Sequence, residues 1–169
     1  TLLTREPGAV LEGRIRSLLL EGAGMDPKTE LFLFLADRAE HAASVIRPAL
    51  QERRVVLCDR HADSTVVYQG YGRGLDLEAL RSWNRFATGG LRPDLTLLLD
   101  LPPDVGLARL KDRDRLDREP LEFHRRIREG FLAEARLEPD RWVVLDATQP
   151  PEGVLEQAWQ PILDRLPRD

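Results

Sequence analysis

Four short apolar runs, Thr1 to Leu3, Val55 to Cys58, Leu95 to Leu99 and Trp142 to Leu145, each close on a polar or turn cluster, and long stretches of helical periodicity separate them. This alternation constrains the fold more than any other feature. Runs that are apolar throughout, rather than at every second residue, suit strands buried on both faces. Between them Leu11, Ile15 and Leu18, then Leu31, Leu35, Ala42, Val45 and Ile46, then Leu77, Leu80 and Trp83, then Phe123, Ile127, Phe131 and Ala135 recur at the spacing of one helix face. A last helix carries Val154, Leu155, Ala158 and Ile162. A parallel crossover needs about a dozen residues or more, which these helices supply. The class expected is α/β, a parallel sheet covered by helices on both faces.

With 169 residues, 42% of them apolar, the chain suits one domain over residues 1–169. A net charge of −4 argues against a protein that grips the nucleic-acid backbone, so small ligands are the expected partners. Apolar runs such as Leu31 to Ala36 stop at a charge well short of a bilayer span, so no membrane partner is expected. The single cysteine, Cys58, has no internal disulfide partner and lies in an apolar run, which suits a reducing, cytoplasmic setting. Thr1-Leu2-Leu3-Thr4 runs straight into Arg5-Glu6-Pro7 and reads as an internal start rather than a signal peptide. Of the 25 basic residues only Lys28 and Lys111 are lysines; the others are guanidiniums, suited to bidentate phosphate contacts, although base composition or heat adaptation gives the same bias.

In an α/β sheet, ligands collect beyond the carboxyl ends of the strands. There this chain has Arg5-Glu6-Pro7-Gly8, Asp59-Arg60-His61, Asp100, and Asp146-Ala147-Thr148-Gln149. Asp59 can hold a magnesium-bound water and Arg60 can fork onto a phosphate, although such a pair is as often a surface ion pair. The run Tyr68-Gln69-Gly70-Tyr71-Gly72-Arg73-Gly74 suits a loop folded around a flat heterocycle. Phe34 and Arg38 lie one helical turn apart, an aromatic plate beside a cation, although Phe34 also fits the core stripe with Leu31 and Leu35. From about residue 109 to 120, Arg109, Lys111, Arg113, Arg115 and Arg118 alternate with Asp112, Asp114 and Asp117. Such a segment reads either as a closing lid that neutralises a transferred phosphoryl group or as a self-paired, solvated surface.

Taken in order, TREPG at 4–8, FLADR at 34–38, DRHADSTVVYQGYGRG at 59–74, RPDLTLLLD at 92–100, DRLD at 114–117 with FHRR after it, and VLDATQP at 144–150 resemble bacterial thymidylate kinases. The resemblance runs from Thr4 to about Pro150 and implies a three-layer P-loop kinase fold. It implies transfer of the γ-phosphoryl group of magnesium ATP to thymidine monophosphate (dTMP), in a cytoplasmic homodimer. By it, Phe34 stacks on thymine, Thr65 and Gln69 meet the base edge, and Arg38 and Arg60 hold the acceptor phosphate. Tyr68 matches the position that crowds the sugar and favours deoxyribose, Arg16 matches an arginine near the acceptor phosphate, and Glu6 matches a carboxylate beside it. Asp59 matches the acidic residue at the magnesium, Arg109, Arg113 and Arg115 match the lid over ATP, and Gln149 and Pro150 border adenine.

The glycine-rich phosphate loop that such chemistry uses is missing from this stretch of sequence. The nearest imitation, Gly22-Ala23-Gly24-Met25-Asp26-Pro27-Lys28-Thr29, has proline in place of the second glycine and follows a helical stretch. The resemblance places the loop and the central first strand before Thr1, so the chain is expected to start at the second strand. Three readings follow: a thymidylate kinase; a non-catalytic nucleotide-binding relative without the loop; or a kinase of another pyrimidine monophosphate, which would want different groups around Gln69 and Tyr68.

Overall fold

The first two apolar runs form β1 (Leu2–Arg5) and β2 (Val56–Asp59), which pair in parallel with Leu2 opposite Val56 and Arg5 opposite Asp59. The other two form β3 (Thr96–Asp100) and β4 (Trp142–Asp146), also parallel, with Asp100 opposite Asp146. In-register parallel pairing brings the carboxyl ends of partner strands together. The Glu6 N–H therefore bonds the Asp59 carbonyl at 2.9 Å, and the Ala147 N–H bonds the Asp100 carbonyl at 2.9 Å. Residues 1–21 and 24–166 are described by this computed structural model; Gly22 and Ala23, which open the imitation phosphate loop, lie outside the described residues.

The α/β class and the parallel pairing are as expected, but among the described residues the strands form two ladders rather than one sheet. Contacts divide the chain accordingly into one unit of Thr1–Leu91 with Asp112–Glu119, and a second of Arg92–Lys111 with Pro120–Asp169. Along β1 and β2 exposure alternates, and Leu3 and Leu57, opposite each other, are 79% and 46% exposed. Within the first unit the helices cover one face of this ladder only.

The first unit adds α1 (Arg14–Leu20), α2 (Pro27–His41), α3 (Arg47–Gln51), α4 (Ala62–Thr65) and α5 (Leu77–Thr88) around buried Leu19, Leu31, Ile46, Val67 and Leu80. Asp26 starts α2 by accepting from the Lys28 N–H, with Pro27 in the first turn where its missing donor costs nothing. The helix then widens into a π-helical stretch, Ala42–Ile46, before α3, where Pro48 can give no N–H to the carbonyl one turn back. The glycine-rich run expected to be a loop is also π-helical, Val66–Gly72, and continues α4. Helix packing overrides the loop signal: a Cβ on Gly70 would lie 2.3 Å from Leu77 Cδ2, so glycine lets this helix press against α5.

The second unit packs α6 (Pro103–Arg109), α7 (Leu121–Leu137) and α8 (Pro151–Leu163) with β3 and β4, burying Phe123, Ile127, Trp142, Leu145 and Ala158. The basic segment divides between the two units. Arg109 ends α6 in the second unit, whereas residues 112–119 belong to the first. Those residues form a tight turn: Asp114 accepts from the Leu116 and Asp117 N–H groups at 2.8 and 2.9 Å, and Asp117 accepts from the Asp114 N–H at 3.1 Å. No helix among the described residues is long and apolar enough to cross a membrane.

Candidate active site

On α2, Glu30, Phe34 and Arg38 follow one another at single-turn intervals along one face. Arg38 is only 2% exposed and nearly spent: Nε donates to Glu6 at 2.9 Å, Nη1 to Thr65 at 2.9 Å and Asn84 at 2.7 Å, and Nη2 to the His61 carbonyl at 3.3 Å. At the other end of the face, Glu30, 1% exposed, accepts from Gln69 Nε2 at 2.8 Å, from Arg73 at 3.2 and 3.3 Å, and from Arg115 Nη2. Phe34 thus lies on the turn between two clamps, Arg38 with Thr65 and Glu30 with Gln69. It is half-buried, whereas Leu31, the core residue one turn earlier, is fully buried.

The electrostatics hold these charges in place. Burial pushes Glu6 upward, but Arg38, the His41 hydrogen bond and His61 outweigh it and leave its carboxyl below the ordinary range. Glu30 behaves alike: burial is overcome by hydrogen bonds from Arg73, Gln69 and Arg115, and its pKa is lowered. Asp37 goes the other way, raised chiefly by burial although the Gly8 N–H approaches its carboxylate at 3.3 Å. Burial also lowers His61, against the pull of Glu6. His41, fully buried, bridges Glu6 at 2.8 Å and the Thr4 hydroxyl at 2.7 Å, which ties the end of β1 to α2.

Asp59 and Arg60 stand exposed at the end of β2. Arg60 has φ +63°, the left-handed region, which costs a non-glycine residue about 1–2 kcal/mol. Its guanidinium sits 5.4 Å from the Tyr68 ring centroid, with Nη1 3.4 Å from the Tyr68 hydroxyl. The adjoining Tyr68 is the main influence raising its pKa further, so its charge is permanent. Tyr68 immediately precedes Gln69, and His61, whose carbonyl takes Arg38, immediately follows Arg60. The strand end and the α2 face are therefore joined through neighbouring residues.

Arg16 crosses the turn after β1 and donates to the Pro7 carbonyl at 3.1 Å. Gly8, at φ +110°, makes room: a Cβ there would meet Arg16 Cδ at 2.7 Å. Arg16 also lines an open cleft of about 790 Å³ with Asp112, Arg113, Asp114, Arg115 and Arg118. Arg115 is anchored more firmly than a free lid arginine, since it donates to the Leu19 carbonyl at 2.7 Å as well as to Glu30. Neither Phe34 nor Gln69 is among the described residues lining this cleft, so it adjoins the α2 clamps without containing them. In the second unit Arg109 donates to the Ala147 carbonyl at 2.9 Å, Gln149 to Asp146 at 3.0 Å, and Pro150 caps α8. Those residues gather at the end of β4.

Sequence reasoning missed Glu30, Asp37, His41, Arg73 and Asn84. Glu30 could have been found by extending the Phe34 and Arg38 face one turn back; His41 and Asn84 meet their partners across long sequence separations and leave no local signal.

Parallel strands flanked by helices, with carboxylates and guanidiniums at the strand ends, suit the class of α/β phosphotransferases. The family model described as Thymidylate kinase matches residues 1–158. A thymidylate kinase of Synechococcus sp. (strain JA-2-3B'a(2-13)) is 56% identical over 98% of this chain and 81% of its own length, and one of Thermomicrobium roseum is 51% identical over 99% and 82%. Among solved structures, the thymidylate kinase of Ehrlichia chaffeensis superposes with a TM-score of 0.77 at 31% identity, over 98% of this chain and 81% of that one. The chain belongs to the thymidylate kinase family.

Proposed function

We propose that dTMP lies with its base on Phe34, its edge at Thr65 and Gln69, its deoxyribose against Tyr68, and its phosphate at Arg60. The observation that carries this reading is the single face of α2, on which Glu30 and Arg38 fix the two base-edge side chains on either side of a half-buried aromatic ring. Arg38 then acts on the base side and as the scaffold of the slot, because four of its N–H groups already have protein partners. Arg60 is the guanidinium free to meet the acceptor phosphate, with Arg16 as a second cation across the turn after β1.

The donor is ATP. Arg113 and Arg115 on the 112–119 turn supply positive charge toward the transferring group, and Arg109, Gln149 and Pro150 make an adenine border in the second unit. Mg²⁺ fits exposed Asp59, because an ion that keeps its waters and the substrate phosphates needs only one or two carboxylates from the protein. Bound there, Mg²⁺ would neutralise charge on the phosphates during transfer. The chain's own part is positioning: Phe34 and the clamps fix the acceptor, Arg60 aims its phosphate, and the 112–119 turn brings guanidiniums near it.

The setting is cytoplasmic and the assembly a homodimer. Phe32 and Trp83 rings lie 6.3 Å apart and are 59% and 43% exposed, and Phe86, one turn beyond Trp83, is 89% exposed. An exposed aromatic patch of this kind suits a contact with a second copy. A coupled assay with ATP and dTMP, deoxyuridine monophosphate (dUMP) or deoxycytidine monophosphate (dCMP) tests the reading. Turnover with dTMP that falls in both Phe34→Ala and Arg60→Ala is expected, and unchanged kinetics in both variants would remove the assignment.

A further inference from the structure

The Gln69 amide has two unlike ends. Its Nε2 donates to Glu30 at 2.8 Å, whereas Oε1 is buried and has no hydrogen-bond partner among the described residues. A buried acceptor left open in an otherwise satisfied network calls for a ligand. We propose that Glu30 is a positioning residue that sets base specificity, a reading that rests on Gln69 meeting the base edge: by holding the Gln69 amide nitrogen it fixes the amide with its unpartnered carbonyl oxygen on the side away from Glu30.

The chemistry admits one orientation. Glu30 is 1% exposed and carries Arg73 and Arg115 as well as Gln69, so it stays an ionised, acceptor-only carboxylate. A reversed amide would set Oε1 against that carboxylate, two acceptors with no proton between them, while Glu30 kept only its arginine donors. With the amide fixed, a base edge that reaches Gln69 meets an acceptor. Thymine and uracil answer it with the N3–H donor; cytosine has a bare N3 lone pair at the same position and is repelled. Arg73 and Arg115 act through Glu30, keeping it charged. Arg73 is itself held by Glu119 at 2.7 Å, so the 112–119 turn and the base-edge selector share one carboxylate.

Calorimetric titration of the wild-type protein with dTMP, dUMP and dCMP reads the selectivity without requiring turnover. In Glu30→Gln the amide is free to turn, and the affinity ratio of dTMP to dCMP should fall about tenfold or more, with dTMP and dUMP weakening together. Glu30→Asp, which keeps an acceptor-only carboxylate, should hold most of the ratio. Gln69→Leu removes the acceptor while sparing the Glu30 arginine pairs and should lower the ratio by a similar factor, so the test stands even if Glu30→Gln unfolds; thermal melts establish which variants are folded. Uniform weakening of all three nucleotides, or an unchanged ratio, in folded Glu30→Gln or Gln69→Leu overturns the inference. Failure of the wild type to bind dTMP instead overturns the proposed function.

Discussion

Replacing Arg38 by alanine perturbs the site at its most buried charge. The Arg38 and Glu6 side chains are 2% and 3% exposed, and the guanidinium also satisfies Thr65, Asn84 and the His61 carbonyl. Removing one partner of a buried pair typically costs about 3–5 kcal/mol, because the other charge stays buried without compensation. Here His41 still bonds Glu6 and relieves part of that cost, whereas Thr65 and Asn84 lose a charged donor. A loss of about 4 kcal/mol is therefore expected, read as a lower urea midpoint at unchanged slope. The exposed pair of Arg14 and Glu12, 79% and 78% exposed, is the internal control: Arg14→Ala should cost no more than about 0.5 kcal/mol. The double variant Glu6→Gln with Arg38→Met should lose less than the two single losses added together, since it leaves no lone charge. A cost below about 1 kcal/mol for Arg38→Ala would refute the view of Arg38 as the scaffold of the slot.

Gly70→Ala should destabilise by about 1–3 kcal/mol through overpacking against Leu77, and adding Leu77→Ala should recover part of that loss in a urea titration. Acid should destabilise the protein in two stages. His61 is lowered, so the unfolded chain takes up its proton first and stability falls as pH drops below 6.5. Glu6 and Glu30 are also lowered; their contribution is complete above 4.5 and lost as pH falls through their folded values, while the raised pKa of Asp37 offsets a part. Melts from pH 7 to about 2 should show both stages, and a flat profile would contradict them. Phe34→Ala should weaken dTMP by about 1–3 kcal/mol in a binding titration, by analogy with base stacking on aromatic side chains. Phe86→Asp should shift the sedimenting species from dimer toward monomer; an unchanged profile would move the interface elsewhere.

The elements were legible because each carries its own local signal. Apolar runs of strand length ending in Asp59, Asp100 and Asp146 gave the strands and their chemical ends, and single-turn spacing placed Phe34 and Arg38 on one helix face. The run from Val66 to Gly72 was not legible as helix, since its glycines signal a loop and only contact with Leu77 on α5 explains them. Helical spacing put Trp83 on one face with Leu80, but it reports which residues share a face, not how deeply each is buried: Leu80 is buried and Trp83 is exposed. Glu6 was legible through its motif, but its buried partners His41 and Asn84 were not, because they join the site only when β1, α2 and α5 pack.

The most direct measurement is a crystal structure of the protein with dTMP. The pyrimidine should stack on the Phe34 ring, its N3–H should donate to Gln69 Oε1, and its phosphate should lie at Arg60. A nucleotide held instead in the cleft of Arg16, Arg113 and Arg118, away from the α2 face, would contradict the account.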